Sequence, residues 1–131
     1  MAVDYQWRGP FANDELNRLH AEGFAHDVLD IDWRGQVERH SLGWGCAREE
    51  GRLVGFVNLA WDGGVHAFVL DTLTARSARR RGIGTRLVER AVDAAREAGC
   101  EWVHVDFDPE LAAFYFDACG FHTTPAGLKA L

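Results

Sequence analysis

No apolar run in this chain approaches the ~20 residues needed to cross a bilayer. The opening stretch "MAVDYQWRGPF" has no hydrophobic signal region. A spanning or exported protein is therefore not expected, and the reading is a cytoplasmic protein without a membrane partner. Positive charge is also short: 14 Lys and Arg face 20 Asp and Glu, for a net charge of −6. A general nucleic-acid binder should be basic over its contact face, so no nucleic-acid partner is expected. Cysteine is scarce: Cys46, Cys100 and Cys119 cannot all pair with one another, and their spacing matches neither CxxC nor a zinc ribbon. Reduced thiols and no metal site follow. Repeats, low-complexity tracts and linkers are missing too, which leaves residues 1–131 as a single domain of ordinary length. With 47% hydrophobic residues, among them five Trp and eight Phe, the chain has enough apolar surface for a folded core.

The order of elements can be read from the periodicity. "YQW" near the start suits a short strand. "NDELNRLHAEGF" suits a helix with Asn13 as N-cap, acids in the first turn and Gly23 as the stop. "DWRGQVERH" suits a second, shorter helix capped by Asp32. Three strand-like runs follow, "WGCARE", "LVGFVNLAW" and "VHAFVLDTLTA", joined by the turn segments "EGR" and "DGG". From Gly82 the period becomes helical: Ile83, Leu87, Val88, Ala91, Ala94, Ala95 and Ala98 share one face, and Gly99 ends it. "EWVHVDF" reads as another strand. Asp108-Pro109 then opens a last helix with Leu111, Phe114, Tyr115 and Ala118 on its apolar side. "FHTTPAGLKAL" leaves room for one or two closing strands. An antiparallel meander followed by a crossover unit implies a mixed α/β sheet.

The stretch "ARRRGIGTRL", residues 78 to 87, lies at the junction of a strand and a helix. A helix N-terminus carries unpaired N–H groups and about half a positive charge, so it suits an anion. Gly82 and Gly84 would let the backbone approach a phosphate closely. No Gly-Lys-Ser/Thr follows, as a P-loop requires, and the third glycine of a dinucleotide fingerprint is missing. Cations at a helix start oppose its dipole, a conflict that a bound anion would remove.

Arg79-Arg80-Arg81-Gly82-Ile83-Gly84 matches the R/Q-x-x-G-x-G/A signature of the GNAT superfamily of N-acetyltransferases, placed after a long strand and before an amphipathic helix. "FYFDACGF", Phe114 to Phe121, resembles that family's "LYEKLGF"-type segment, and the order of elements is similar over nearly the whole chain. The resemblance implies a mixed central sheet of about six or seven strands with four helices, the acyl-CoA N-acyltransferase fold. It also implies a transferase that takes an acetyl group from acetyl-CoA, without a metal, to a primary amine on a small molecule or a peptide. In such proteins the loop holds the cofactor's pyrophosphate, here through Arg79, Arg80, Arg81, Gly82, Ile83, Gly84 and Thr85. The pantetheine arm pairs like a strand with the end of the preceding strand, here Leu73 and Thr74, where that strand splays from "EWVHVDF". Family members often form dimers, so the resemblance allows a homodimer.

Acetyl transfer needs a neutral amine, and an alkylammonium has a pKa of about 10.4. The site must therefore take up a proton before attack on the thioester. Asp71 lies on the cofactor-carrying strand, three residues before Thr74, and His104 and Asp106 share one face of the next strand. Each of these is a candidate base, and each also has a purely structural reading. Many relatives use a tyrosine on the last helix as the acid that protonates the departing thiolate. Aligned from Gly120-Phe121, that position holds Phe116 and not Tyr115. Either an extra residue in the helix brings Tyr115 into place, or water supplies the proton. A domain that binds acyl-CoA without turnover remains the alternative. The amine pocket is expected near the first two helices, where His26, Trp33, His40, Trp44 and Trp61 are candidate lining residues.

Overall fold

The computed structural model describes residues 2–131. A five-stranded sheet runs in the order β1-β2-β3-β4-β5. Its strands are β1 (Asp4–Trp7), β2 (Ser41–Glu49), β3 (Arg52–Trp61), β4 (His66–Thr74) and β5 (Trp102–His104). The first four pair antiparallel, and β5 lies parallel to β4, as a helical crossover requires. The expected six or seven strands are thus five. "FHTTPAGLKAL" forms no strand; apart from the half-buried Phe121, its residues are exposed. Pro125 and Gly127 interrupt it, and little of its apolar surface is covered against the sheet.

Helices α1 (Asn13–Phe24) and α2 (Trp33–His40) cover one face of the sheet, and α3 (Ile83–Glu97) covers the other. Register explains this division. Phe56 of β3 stands opposite Leu73 of β4, and Leu73 reaches Gly23 of α1. Gly45 and Gly55 point the other way, toward Leu87 and Ile83 of α3. Ile83, Leu87, Val88, Ala91, Ala94 and Ala95 of α3 are buried, the face expected from their spacing.

Helix ends are handled unequally. In α1 the N-cap is Ala12 rather than Asn13, and Glu15 reaches back to accept the Ala12 N–H at 3.0 Å. Asn13 is instead a tie to α2, donating to Asp32 Oδ1 and accepting the Arg34 N–H. Asp32 caps α2 by accepting the Gly35 N–H, and the two basic residues Arg39 and His40 complement its dipole. At the start of α3 there is neither a capping side chain nor an acid in the first turn.

Two local irregularities shape the open edge of the sheet. Asn58 stands opposite Leu70 while Phe56 stands opposite Leu73, so Asp71 and Thr72 share the space of one partner residue. This is a β-bulge, which bends its strand and leaves an extra residue outside the ladder. Asp71 takes the left-handed conformation there, with φ 54°. The second irregularity is the last helix. A short 3-10 turn, Pro109–Leu111, leads into a π-helix, Ala113–Ala118, which we call α4. Asp108 precedes Pro109 as expected, but its side chain makes no cap.

Candidate active site

Pairing of β4 with β5 stops at Phe68 and His104, just before the Asp71 bulge. From there the two strands diverge, and the β5-side edge of Leu70 to Thr74 is left open. β3 still holds the other edge, pairing Leu73 with Phe56 and Thr74 with Gly55. The end of β4 that carries Leu73 and Thr74 therefore borders an open wedge.

The arginine-glycine loop forms the far end of this wedge. After the turn Arg76–Ala78, Arg80 adopts φ 64° and Gly82 φ 79°, which swings the chain into α3. A Cβ on Gly82 would meet nothing within 4 Å, so its role is conformational. Gly84 has the opposite reason. A Cβ there would lie 3.2 Å from the Phe114 ring and 3.6 Å from Thr74 Oγ1, so glycine lets α4 and β4 pack close to the start of α3. The amides of Ile83, Gly84 and Thr85 belong to the first turn and have no intrahelical acceptor, whereas the Arg86 amide already donates to Gly82 O. The three arginines differ. Arg79 Nε donates to Thr74 O at 3.4 Å, Arg81 forms an ion pair with Glu49, and the Arg80 side chain lies on the exposed outer turn. The Glu49 partner holds the Arg81 guanidinium above its ordinary range and the Glu49 carboxyl below its own.

Tyr115, and not Phe116, is the buried residue of α4. It stacks on Phe107 at 4.7 Å and meets the edges of Phe114 and Phe121. The reason is the helix type. The Cys119 N–H donates to Phe114 O, an i to i+5 bond, so one turn contains an additional residue. The helix thus contains an additional residue, one of the two alternatives left open for Tyr115 and Phe116. Burial pushes the Tyr115 phenol above its usual range, with the neighbouring Thr72 hydroxyl partly offsetting this. The tyrosine thus stands beside the bulge of β4.

The remaining candidates separate. Asp71 Oδ1 lies 3.1 Å from His20 Nε2 of α1, and both side chains are largely covered. His104 sits on the exposed edge, 2.8 Å from His66 and stacked on Phe68. Asp106 lies beyond the end of β5 in an irregular segment, on the exposed side. The structure thus joins Asp71 to α1 and pairs His104 with His66 rather than with Asp106. Among the aromatic candidates, Trp44 is buried and donates to Gly9 O, Trp61 is half-buried at the far end of β3, and His40 is exposed. Trp33 and His26 alone lie beside the Asp71–His20 pair.

Two residues of importance were missed from sequence. Asn17 is buried, and its amide makes four bonds: to Asn13 O, to Ile31 O, from the Ile31 N–H and from Trp33 Nε1. It fixes the connection from α1 to α2. His20 follows one helical turn later on the same face; the spacing of the two was the available signal. Cys46 and Cys119 are pushed up to about 12 and about 11 by burial, and Cys100 is raised by the same cause. Such thiols stay protonated and unreactive at neutral pH. Among the described residues no cluster of three or more His, Cys, Asp or Glu is placed to hold a metal, and no helix is long and apolar enough to cross a membrane.

Comparisons with known proteins agree with this geometry. Residues 6–121 match the acetyltransferase (GNAT) family. A probable glucosamine 6-phosphate N-acetyltransferase of Oryza sativa subsp. japonica is 37% identical over 103 residues, which cover 79% of this chain and 58% of that protein. The chain thus spans little more than half the length of that relative. A probable acetyltransferase from meticillin-resistant Staphylococcus aureus superposes with a TM-score of 0.83 at 16% identity, covering 99% of each chain. An aminoglycoside N-acetyltransferase solved in complex with CoA gives 0.77 at 17% identity, covering 99% of this chain and 94% of that one. The breadth of the family match, together with the bare helix start, the wedge and the bulge, leads to one conclusion: this chain belongs to the GNAT acetyltransferase family.

Proposed function

We propose that the protein is an acetyl-CoA-dependent N-acetyltransferase acting on a primary amine. The observation that carries this reading is the start of α3. The N-terminal ends of α1 and α2 are met by Glu15 and Asp32, whereas α3 begins on a left-handed glycine with no capping side chain and no acid in its first turn. Such an end favours an anion, and Gly82 leaves open space beside it, where a Cβ would meet nothing within 4 Å. In this reading the amides of Ile83, Gly84 and Thr85 hold the pyrophosphate, and Arg79 and Arg80 add positive charge around it. Arg81 stands further back, tied to Glu49. The open edge of β4 at Leu73 and Thr74 pairs with the pantetheine arm.

Bound acetyl-CoA supplies an activated acetyl thioester. In this reading backbone amides at the bulge, outside the β3 ladder, donate to the carbonyl oxygen as charge develops on it. Asp71 accepts a proton from the acceptor ammonium. Tyr115, kept protonated by burial, gives one to the departing sulfur. The acceptor enters between the bulge and the connection from α1 to α2, where Phe24, Val28 and Leu29 expose apolar surface. The 37% identical relative makes glucosamine 6-phosphate the first acceptor to try. The test is calorimetry with acetyl-CoA followed by a thiol-release assay over a set of amines beginning with that sugar. Binding with thiol release supports the reading; failure to bind acetyl-CoA overturns it.

A further inference from the structure

Beyond the wedge, the largest unexplained cluster of titratable groups is a line of hydrogen bonds leading from the bulge to the surface. Asp71 Oδ1 is 3.1 Å from His20 Nε2, His20 Nδ1 is 2.7 Å from His26 Nε2, and His26 Nδ1 is 2.6 Å from the backbone oxygen of Asp27. The path begins among largely covered groups and ends at an exposed residue, Asp27. Phe24 and Trp33 flank the His20 ring at 4.7 and 4.9 Å and bring no charge to it. Glu22, on the same helix, is committed to the Arg76 N–H. The groups that face His20 with a proton to exchange are therefore Asp71 from β4 and His26 from the α1–α2 connection.

Elementary hydrogen-bond chemistry fixes how many protons this line holds. A carbonyl oxygen only accepts, so His26 Nδ1 must carry hydrogen. Each of the other two contacts also needs one hydrogen between its heavy atoms. Two neutral imidazoles and a carboxylate bring one hydrogen too few. The complete line thus contains one extra proton, which can reside on Asp71, on His20 or on His26. The two rings cannot both be protonated, because His20 Nδ1 and His26 Nε2 would then both present hydrogens across 2.7 Å, so a second extra proton has a place only on the other carboxylate oxygen of Asp71, outside the line. Losing the extra proton leaves one contact with facing lone pairs, and that makes the line a base with a capacity of one.

We propose that His20 and His26 form a proton relay that carries the acceptor's proton from Asp71 to solvent, an inference that rests on the acetyltransferase reading above. The stoichiometry matches. An ammonium acceptor loses two protons on becoming an amide. One goes to the relay before attack; the other leaves nitrogen as the C–N bond forms and the C–S bond breaks, and balances the proton that ends on sulfur. One proton per turnover is released to water, the amount the line can hold. The left-handed backbone at Asp71 is consistent with this role. A non-glycine residue held there costs about 1–2 kcal/mol, and here the bulge turns the carboxylate toward α1.

Two measurements on the whole protein test the relay. The first is nitrogen-15 NMR of the histidine rings over about pH 5 to 8, where imidazoles titrate. The expected result is a joint uptake of one proton by His20 and His26, with His26 Nδ1 protonated throughout. Independent uptake of a proton by each ring overturns the proposal, whichever amine is acetylated. The second is kinetics with the amine found in the thiol-release assay. His26→Ala should lower kcat roughly a hundred-fold, the low end of what a positioned proton-transfer group contributes, and leave the KM for acetyl-CoA unchanged. Added imidazole should restore much of that loss. His20→Gln keeps a donor toward Asp71 but cannot pass a proton, so it should show a similar loss without rescue. Retention of kcat within two-fold by both variants, or a loss in His26→Ala that imidazole does not relieve, overturns the relay. A wild-type protein that binds acetyl-CoA but acetylates no amine would instead defeat the acetyltransferase reading, and the NMR result would still decide the proton count.

Discussion

Gly82→Asp tests the anion site with little cost to the fold. Gly82 sits at φ 79° with nothing within 4 Å of the place a Cβ would take, so the substitution meets no steric barrier. Aspartate is among the residues that best tolerate the left-handed region, so its cost there is about 1 kcal/mol, the low end of the roughly 1–2 kcal/mol range. A carboxylate at a helix start returns roughly 0.3–1 kcal/mol through the dipole. Stability should therefore change by less than about 1 kcal/mol, a shift of only a few degrees in Tm. Binding is a different matter. At about 5 Å, two like unit charges repel by roughly 0.8 kcal/mol in water and 3.3 kcal/mol at an effective dielectric of about 20. A pyrophosphate presents more than one charge, so acetyl-CoA affinity should fall at least ten-fold and as far as about a thousand-fold, since every 1.4 kcal/mol is ten-fold. The assay is calorimetry on the wild type, Gly82→Asp and Gly82→Asn at low and high salt. Asparagine has the same shape without the charge and should keep affinity within about three-fold. The difference between the two variants should shrink in 1 M salt, where the screening length is about 3 Å. Equal affinities for the aspartate and asparagine variants would refute the phosphate site at α3.

Other expectations follow from the same geometry. Tyr115→Phe should reduce kcat by about a hundred-fold while acetyl-CoA affinity stays within two-fold, measured by steady-state kinetics and calorimetry. Because burial raises the phenol, an acid role for Tyr115 predicts that the alkaline fall in turnover comes above the ordinary tyrosine range; a fall below it would count against the role. Asn17→Ala should cost about 3 kcal/mol or more in denaturant unfolding, because the Ile31 N–H and the Trp33 indole lose their acceptor inside the protein. The Glu15 carboxyl is held below its usual value mainly by its hydrogen bond to Arg48. Its folded pKa is depressed, so its contribution is present above the unfolded carboxylate value and disappears as pH falls through the folded one. The Tm gap between the wild type and Glu15→Gln should accordingly close on acidification, and a gap that widened would reverse that assignment.

Much of the architecture could be read along the chain. The α3 face, Ile83 to Ala95, is a 3.6-residue pattern that any packing against a sheet would bury. The hairpin turns and the glycine loop were visible for the same reason: they depend on a few neighbouring residues. The closing strands did not appear because strand-forming composition means little without a partner edge, and residues 122–131 remain exposed. The placing of His104 and Asp106 on one strand face rests on alternation along "EWVHVDF", but β5 ends at His104. Strand length here is set by where β4 turns away, which no local pattern in "EWVHVDF" records.

The bulge at Asp71, the π-turn at Tyr115 and the line from Asp71 through His20 to His26 belong to the same category. The bulge and the histidine line depend on residues far apart in the chain, 51 positions in the case of His20 and Asp71, and the π-turn rests on a five-residue bond that a 3.6-residue pattern does not mark. By itself the sequence determined the helices, the antiparallel meander, their order and the glycine turn of "ARRRGIGTRL" into α3, because backbone conformation and amphipathic period are local properties. Only the tertiary structure decided which strand edge stays open, which aromatic of α4 faces the wedge and which histidine meets Asp71. Those outcomes rest on register and on helix-to-sheet distance, and both are settled only when the elements pack.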